Sequence, residues 1–403
     1  MTKWLIASML VVATAHAHEI ATGDAVNEGI DAAALEKLMA ATVASKSSAL
    51  VIIKNGKLVV DWRPAGAVAH PIETMSATKS IVNLAIGRLI DDGKIKSVDE
   101  PVYRFYPEWK QGRKKTITLR HLLDHTSGLQ AQPTTGEEIY PSPDFVKLAL
   151  AAELSDDPGV RVFYNNKAVN LLAGVVKVAS GQPLDAYLRD VLFVPLGITD
   201  WKWSHDSAGN PHAMSGLRLE AIDLAKIGQL LVDGGVWRGK RIISQSWIAE
   251  SVKPSQKMKR VGLLWWLLFE WQKLTIDDTV IAAWRAAKVD AAFIAKVAPM
   301  KGTLYERADF FATLSKVFEK DGGLEYWYDH TWRKGLSDGA VSTGPVAGYY
   351  ADGYLGQYLV VLPKQHLVAV RQLEAREDSP DAKNYDAFTT FAATVQTLVL
   401  PPK

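Results

Sequence analysis

The stretch Met75-Ser76-Ala77-Thr78-Lys79 sets a serine three residues before a lysine, at the start of the apolar run Ser80-Ile81-Val82-Asn83-Leu84-Ala85-Ile86-Gly87-Arg88-Leu89-Ile90. Asp91-Asp92-Gly93 stops that run, as expected of a helix buried in a domain centre. Positions i and i+3 share one face of a helix, so the Ser76 hydroxyl and the Lys79 amine fall within reach of each other. A lysine desolvated by such surroundings loses proton affinity and can take a proton near neutral pH. The helix N-terminus adds partial positive charge where an oxyanion would develop. The pair therefore reads as a nucleophile with its own base, the bland alternative being an N-cap serine beside a solvated lysine.

Two weaker features add to it. Val162-Phe163-Tyr164-Asn165-Asn166 follows the turn Asp157-Pro158-Gly159 and leads into an apolar helix, and Tyr164 alone among the tyrosines has asparagine two positions on. A phenol near a lysine ammonium can ionise or relay a proton, first as base on Ser76 and then as acid toward a leaving group. The amide of Asn166 can donate to a substrate carbonyl. Gly353-Tyr354-Leu355-Gly356-Gln357 opens a strand, where a small Gly356 would let substrate lie along the edge and a main-chain amide could complete an oxyanion hole.

Outward from these motifs the chain divides into layers. Residues 31 to 45 read as an amphipathic helix, and Ala49 to Lys54 and Lys57 to Asp61-Trp62 flank Asn55-Gly56, the signal of a type I′ hairpin. From Ser76 to about Ser255 the pattern is mainly helical, including Leu119 to Leu123, Asn166 to Ser180 and Ala221 to Asp233. Strands are expected at Val261 to Phe269, Gly356 to Leu362 and Leu367 to Arg371, and a last helix from about Asp381 to Leu398. The expected fold class is α/β (α+β): an antiparallel sheet built from both chain ends, flanked by N- and C-terminal helices, with a mainly helical lobe inserted. Residues 270 to 346 read as a helical insert. Trp327 and Arg333, in an aromatic and basic cluster near its end, could wall a cleft together with Tyr354.

In their order these segments resemble the serine β-lactamase and penicillin-binding-protein family. The likeness is strongest to the class C β-lactamase branch, with its family VIII carboxylesterases, D-aminopeptidases and 6-aminohexanoate-dimer hydrolases. Ile117-Thr118-Leu119-Arg120-His121-Leu122-Leu123-Asp124-His125-Thr126-Ser127-Gly128-Leu129 is similar to that family's linking segment. Similar too are Asn170-Leu171-Leu172-Ala173-Gly174, Pro195-Leu196-Gly197-Ile198-Thr199-Asp200, and Gly216-Leu217-Arg218 with Asp223-Leu224-Ala225-Lys226 and Gly228. The resemblance implies a β-lactamase/transpeptidase-like fold, Ser76 as the acylated nucleophile, Lys79 and Tyr164 as the general-base pair, and Asn166 as a substrate-positioning amide. It implies an oxyanion hole from the main-chain amides of Ser76 and Gln357, and neither metal nor organic cofactor. Where the family opens its third motif with a carboxylate-gripping lysine, this chain has Tyr354-Leu355-Gly356. That departure shifts the expected substrate from penicillins toward neutral esters or small amides. A class C-like β-lactamase, a D-amino-acid peptidase and a non-catalytic cell-wall or peptide-binding module stand as alternatives.

Composition bounds the rest. The chain has 403 residues, 48% hydrophobic, and a formal net charge of +2, so no strong field recruits nucleic acid or an anionic membrane. Lys3, the apolar run Trp4 to Ala15 and Ala15-His16-Ala17 read as a secretory signal over residues 1 to 17, implying a periplasmic or secreted protein. No stretch is long and apolar enough to span a bilayer, and zero cysteines exclude disulfides and a cysteine nucleophile. His121 and His125 sit four apart as zinc ligands can, but without the glutamate of a His-Glu-x-x-His motif the structural reading is preferred. Oligomeric state is not legible.

Overall fold

The computed structural model describes residues 20–132, 134–331, 334, 336–375 and 388–399. The leader expected at residues 1–17 and the candidate wall residue Arg333 lie outside them. The chain forms two compact units, a larger one of residues up to 265 and from 350 onward, and a smaller one, Trp266–Tyr349.

The sheet of the larger unit is drawn from both ends of the chain. Strands β1 (Ala49–Lys54) and β2 (Lys57–Trp62) form the hairpin that Asn55-Gly56 signals, with both turn residues at positive φ and a bulge between Ile52 and Ile53. With β3 (Val346–Gly353), β4 (Gln357–Leu362) and β5 (Leu367–Gln372) the order is β2-β1-β5-β4-β3. Ala49 pairs with Gln372 and Lys54 with Leu367, while Tyr358 pairs with Arg371. Every residue of β1, β4 and β5 is buried, which accounts for their continuous apolar sequences in place of alternation.

Helices cover this sheet. Helix α1 (Ala32–Ala44) is capped by the Asp31 carboxylate, and the Asp31 amide donates to Leu398 O at 2.8 Å, joining the two chain ends. Helix α2 (Thr78–Asp91) is the apolar helix behind Ser76, and α3 (Asn166–Ser180) begins at the Asn165 cap and ends at Gly181 in the left-handed region. Helix α4 (Ala221–Val232) is buried along its whole length against β1, β4 and β5. A Cβ at Gly228 would lie 2.5 Å from Val368 Cγ1 and 2.8 Å from Leu359 Cδ1, so only glycine lets helix and sheet approach this closely. The last helix, α5 (Phe391–Gln396), packs on β4. It covers only the later part of the helix expected from Asp381, and residues 381–387 lie outside the described set.

The smaller unit carries helices Asp278–Ala286, Ala291–Val297, Arg307–Val317 and Leu324–His330 around an aromatic core. It also holds a three-stranded antiparallel sheet, in the order Tyr305–Glu306, Gln272–Thr275, Ala340–Thr343, which the helical reading of this region missed. Trp327 belongs to that core: it is fully buried, stacks on Phe293 at 5.3 Å and meets Trp284 edge-on at 5.4 Å. Its expected place in a cleft wall is corrected accordingly. Its indole N–H is satisfied by Asp338 Oδ1 at 3.1 Å, the partner a buried indole requires.

Candidate active site

Ser76 lies in a short 3-10 turn, Met75–Ala77, directly ahead of α2. The turn is anchored from below. Thr74 N and Oγ1 both donate to Leu217 O, at 2.8 and 3.0 Å, Thr74 Oγ1 meets Thr78 Oγ1 at 3.0 Å, and Leu217 N donates to Thr78 Oγ1 at 3.3 Å. These bonds hold Met75 at φ +48°, a left-handed conformation that a non-glycine residue keeps only when its surroundings impose it. Helix α2 is fixed as firmly by polar side chains inside the core. Ser80 Oγ donates to Leu264 O at 2.6 Å, and Asn83 donates to Leu263 O at 2.9 Å while accepting from Trp247 Nε1 and Ser251 Oγ, both at 3.1 Å.

The i, i+3 spacing brings Lys79 Nζ to 2.9 Å from Ser76 Oγ. The amine also donates to Met214 O at 2.6 Å, and Lys79 is only 3% exposed. Burial pushes its pKa down to about 7, a fall opposed by the charge of Asp352. The Met214 peptide is itself held in place, since Asn170 Oδ1 accepts from the amides of Ala213 and Met214, each at 3.1 Å. Asn170 thus positions the carbonyl that positions the lysine.

Tyr164 completes the group. The Lys79 ammonium position lies 5.0 Å from its ring centroid. Although 42% of the residue stays open to solvent, crowding of the phenol pushes its pKa up to about 12, partly offset by the Ser76 hydroxyl beside it. At neutral pH the phenol therefore keeps its proton, and of the two expected bases the lysine amine is the one poised to accept. His125 packs against the Tyr164 ring at 4.7 Å and accepts from the Asn165 amide through Nδ1 at 3.3 Å. Burial, reinforced by the Lys79 charge, drops its pKa to about 3, so it braces the tyrosine as a neutral ring. His121 serves a separate task, capping the helix Leu119–Leu123 by accepting from Thr118 N.

Asn166 opens α3 and donates to Thr135 Oγ1 at 2.8 Å, leaving its buried Oδ1 without a partner. The Thr135 hydroxyl can take either role, so turning the amide over would satisfy Oδ1 and present the NH2 group instead. Next to it, Lys167 and Glu138 form a buried ion pair that ties α3 to the segment over it.

The hairpin of the third motif differs in detail from its sequence reading. Gly356 is no flat strand residue: the Gly356 amide donates to Gly353 O at 3.0 Å, and Leu355 and Gly356 take φ of +70° and +84° in a tight turn between β3 and β4. The glycine that makes room is Gly353, where a Cβ would lie 2.3 Å from Thr74 O and 3.2 Å from Ala77 N, against the nucleophile turn. Gln357 is fully buried, and its side chain exchanges hydrogen bonds with the Leu373 main chain, so that side chain is committed to holding the strand and not to substrate. Tyr354, at the tip of the turn, is 57% exposed. Asp352, whose charge acts on both Lys79 and Tyr164, was not singled out in the sequence. Neither were Asn170 or Met214, and His125 was weighed only as half of a zinc pair with His121. The histidine and asparagine do lie inside the segments that carry the family resemblance, which was the available signal.

Residues 34–263 match the family described as Beta-lactamase. "Putative penicillin-binding protein PbpX" of Bacillus subtilis (strain 168) is 26% identical over 227 residues, 48% of this chain and 57% of that protein, so the chain spans little more than half of that relative's length. Among solved structures, "Putative 6-aminohexanoate-dimer hydrolase from Bacillus anthracis" superposes with a TM-score of 0.58 at 18% identity, covering 90% of this chain and 82% of the other. A penicillin-binding protein homolog from Caulobacter crescentus gives 0.55 at 16% identity, covering 94% and 99%. At such identities the superpositions speak for the fold alone, and the family match supplies the lineage. It covers more than half of the sequence and includes Ser76, Lys79 and Tyr164, which the fold brings together: the chain belongs to the Beta-lactamase family.

Proposed function

We propose that the protein is a serine hydrolase that works through an acyl-enzyme on Ser76, with neutral esters as its preferred substrates and small amides next. The observation that carries this reading is the 2.9 Å contact of Ser76 Oγ with an amine whose pKa is pushed down to about 7. As a neutral amine, Lys79 keeps one N–H on Met214 O and turns its lone pair to the hydroxyl. Ser76 Oγ bonds to the substrate carbonyl carbon as its proton passes to Lys79 Nζ. The resulting oxyanion is met by the amides of Ser76 and of the hairpin at Gln357. Tyr164, still protonated, donates to the leaving oxygen or nitrogen as the bond to carbon breaks, and recovers its proton from Lys79. Water then repeats the attack on the acyl group, its proton going to the amine, and Ser76 leaves with a proton restored.

Charge supports a neutral substrate. Around the third motif Tyr354 stands where the family carries a lysine, and the charge of Asp352 acts on Lys79, so that motif places no lysine of its own to grip a β-lactam carboxylate. Purified protein is therefore expected to hydrolyse p-nitrophenyl butyrate with a kcat/KM roughly 100-fold above that for a chromogenic cephalosporin. Faster cephalosporin turnover would replace this reading with that of a β-lactamase.

The same electrostatics set the pH dependence. Lys79 must be deprotonated to act, so kcat/KM for the ester should fall as pH drops below about 7. Asp352 favours the ammonium form, so in Asp352→Asn the acid limb should move to lower pH. A limb that stayed in place would remove Asp352 from the account of the base.

A further inference from the structure

Strand β5 reads Leu367-Val368-Ala369-Val370-Arg371-Gln372, and all of it is buried. Arg371 breaks that apolar run with a fully buried side chain, in register with Leu50 of β1 and Tyr358 of β4. Taking a guanidinium out of water is expensive, and a well-packed apolar side chain in place of a buried charge is often neutral or stabilising. Stability alone does not call for an arginine here.

What the arginine holds is the turn between β3 and β4. Its Nη1 donates to Gly356 O at 3.1 Å, its Nε donates to Ser47 Oγ at 2.8 Å, and the guanidinium lies 5.7 Å from the centre of the Phe388 ring. Ser47 is itself buried and meets Ser45 Oγ at 3.1 Å, so the fork ties the turn to a fixed point just ahead of β1. The turn needs such a hold, because Leu355 at φ +70° keeps a left-handed conformation only under constraint. From Gly356 the restraint runs on toward the nucleophile. The Gly356 amide donates to Gly353 O at 3.0 Å, and a Cβ on Gly353 would come within 2.3 Å of Thr74 O and 3.2 Å of Ala77 N. Gly353 therefore sits directly against the turn that carries Ser76. A peptide is planar and trans, so fixing Gly356 O also fixes the direction of the Gln357 N–H, the amide assigned to the oxyanion in the proposed mechanism.

We propose that Arg371 is a positioning residue for the oxyanion hole, acting through Gly356 without touching substrate. The inference rests on the hydrolase reading. Acylation and deacylation both pass through an oxyanion, so a turn that has lost its anchor slows whichever step limits turnover. A misplacement of about 1 Å can cost ~100-fold. In full-length Arg371→Met, shown to be folded by a cooperative urea transition, kcat for p-nitrophenyl butyrate should fall roughly 30- to 100-fold with KM within about threefold of the native value. That split marks an interaction felt in the transition state, whereas a side chain that only supports the fold would leave kcat of the folded protein unchanged. If Arg371→Met does not fold, Ser47→Ala decides, because it removes the acceptor of Nε and leaves the guanidinium in place. There kcat should fall about fivefold, and the amide chemical shifts of Gly356 and Gln357 should move. A folded Arg371→Met with kcat within about threefold of native, a rise in KM in place of a fall in kcat, or, where Ser47→Ala decides, native kcat in that variant would overturn the inference and leave the hydrolase reading standing. Native protein without Ser76-dependent ester turnover would overturn both.

Discussion

Ser76→Ala is expected to lower ester turnover by roughly 10⁴- to 10⁶-fold while leaving the fold intact. The size follows from what the hydroxyl does. It supplies the atom that bonds to carbon, and without it the site retains only positioning and oxyanion stabilisation. The fold should survive because the turn is held by Thr74, Thr78 and Leu217 and not by the Ser76 side chain, whose bond to Lys79 is local. A fluorophosphonate should add its mass to the native protein and not to the variant. Ester turnover within tenfold of the native protein, or an adduct on another residue, would mean that Ser76 is not the nucleophile.

Lys79→Met should act in two opposite directions. Turnover should fall by roughly 10²- to 10⁴-fold, the usual contribution of a positioned general base. Stability should rise. The folded-state pKa of about 7 lies below the ordinary 10.5, so between those values the unfolded chain binds more protons and folding is penalised. That penalty is full below pH 7, at an upper bound of roughly 5 kcal/mol, and fades as pH climbs through 10.5. Methionine removes it and leaves Met214 O without its donor, a cost of about 1–3 kcal/mol, so the net gain at pH 6 is about 2–4 kcal/mol. Urea midpoints should show the gain at pH 6 and its loss by pH 10. A variant less stable at pH 6 than the native protein would show that the amine is not desolvated as described.

The parts of the fold that were legible from sequence are those with local chemical punctuation. Helix α3 begins and ends where expected because Asn165 caps its first turn and Gly181 supplies the left-handed exit. The β1–β2 hairpin follows from Asn55-Gly56 in the same way. By contrast, the apolar run Val261 to Phe269 gives a strand only at Trp266–Phe269, because Leu264 turns to φ +60° and its amide bonds across to Leu123 O. Strands of two to four residues in the smaller unit are too short to show a period. Trp327 illustrates a different limit, since an aromatic cluster reads the same whether it lines a cleft or fills a core. Within the site, Ser76, Lys79 and Tyr164 were legible because two short spacings and the order of the family-like segments carry them. Met214 was not, because its contribution is a backbone carbonyl, which any residue type could provide.

Helix α3 bears Asn166 in its first turn and Asn170 one turn later, about 6 Å along the axis. On the proposed function the first amide would serve the substrate, while the second sets the peptide that aims the lysine. Substrate grip and proton path are thus mounted on a single rod, and a shift of that rod disturbs both together. Selection for a new substrate can hardly work on α3 without forfeiting the chemistry. The tip of the β3–β4 turn stands apart from that rod, and on the proposed function the exposed Tyr354 is the place where descendants of this chain would change diet and keep their engine.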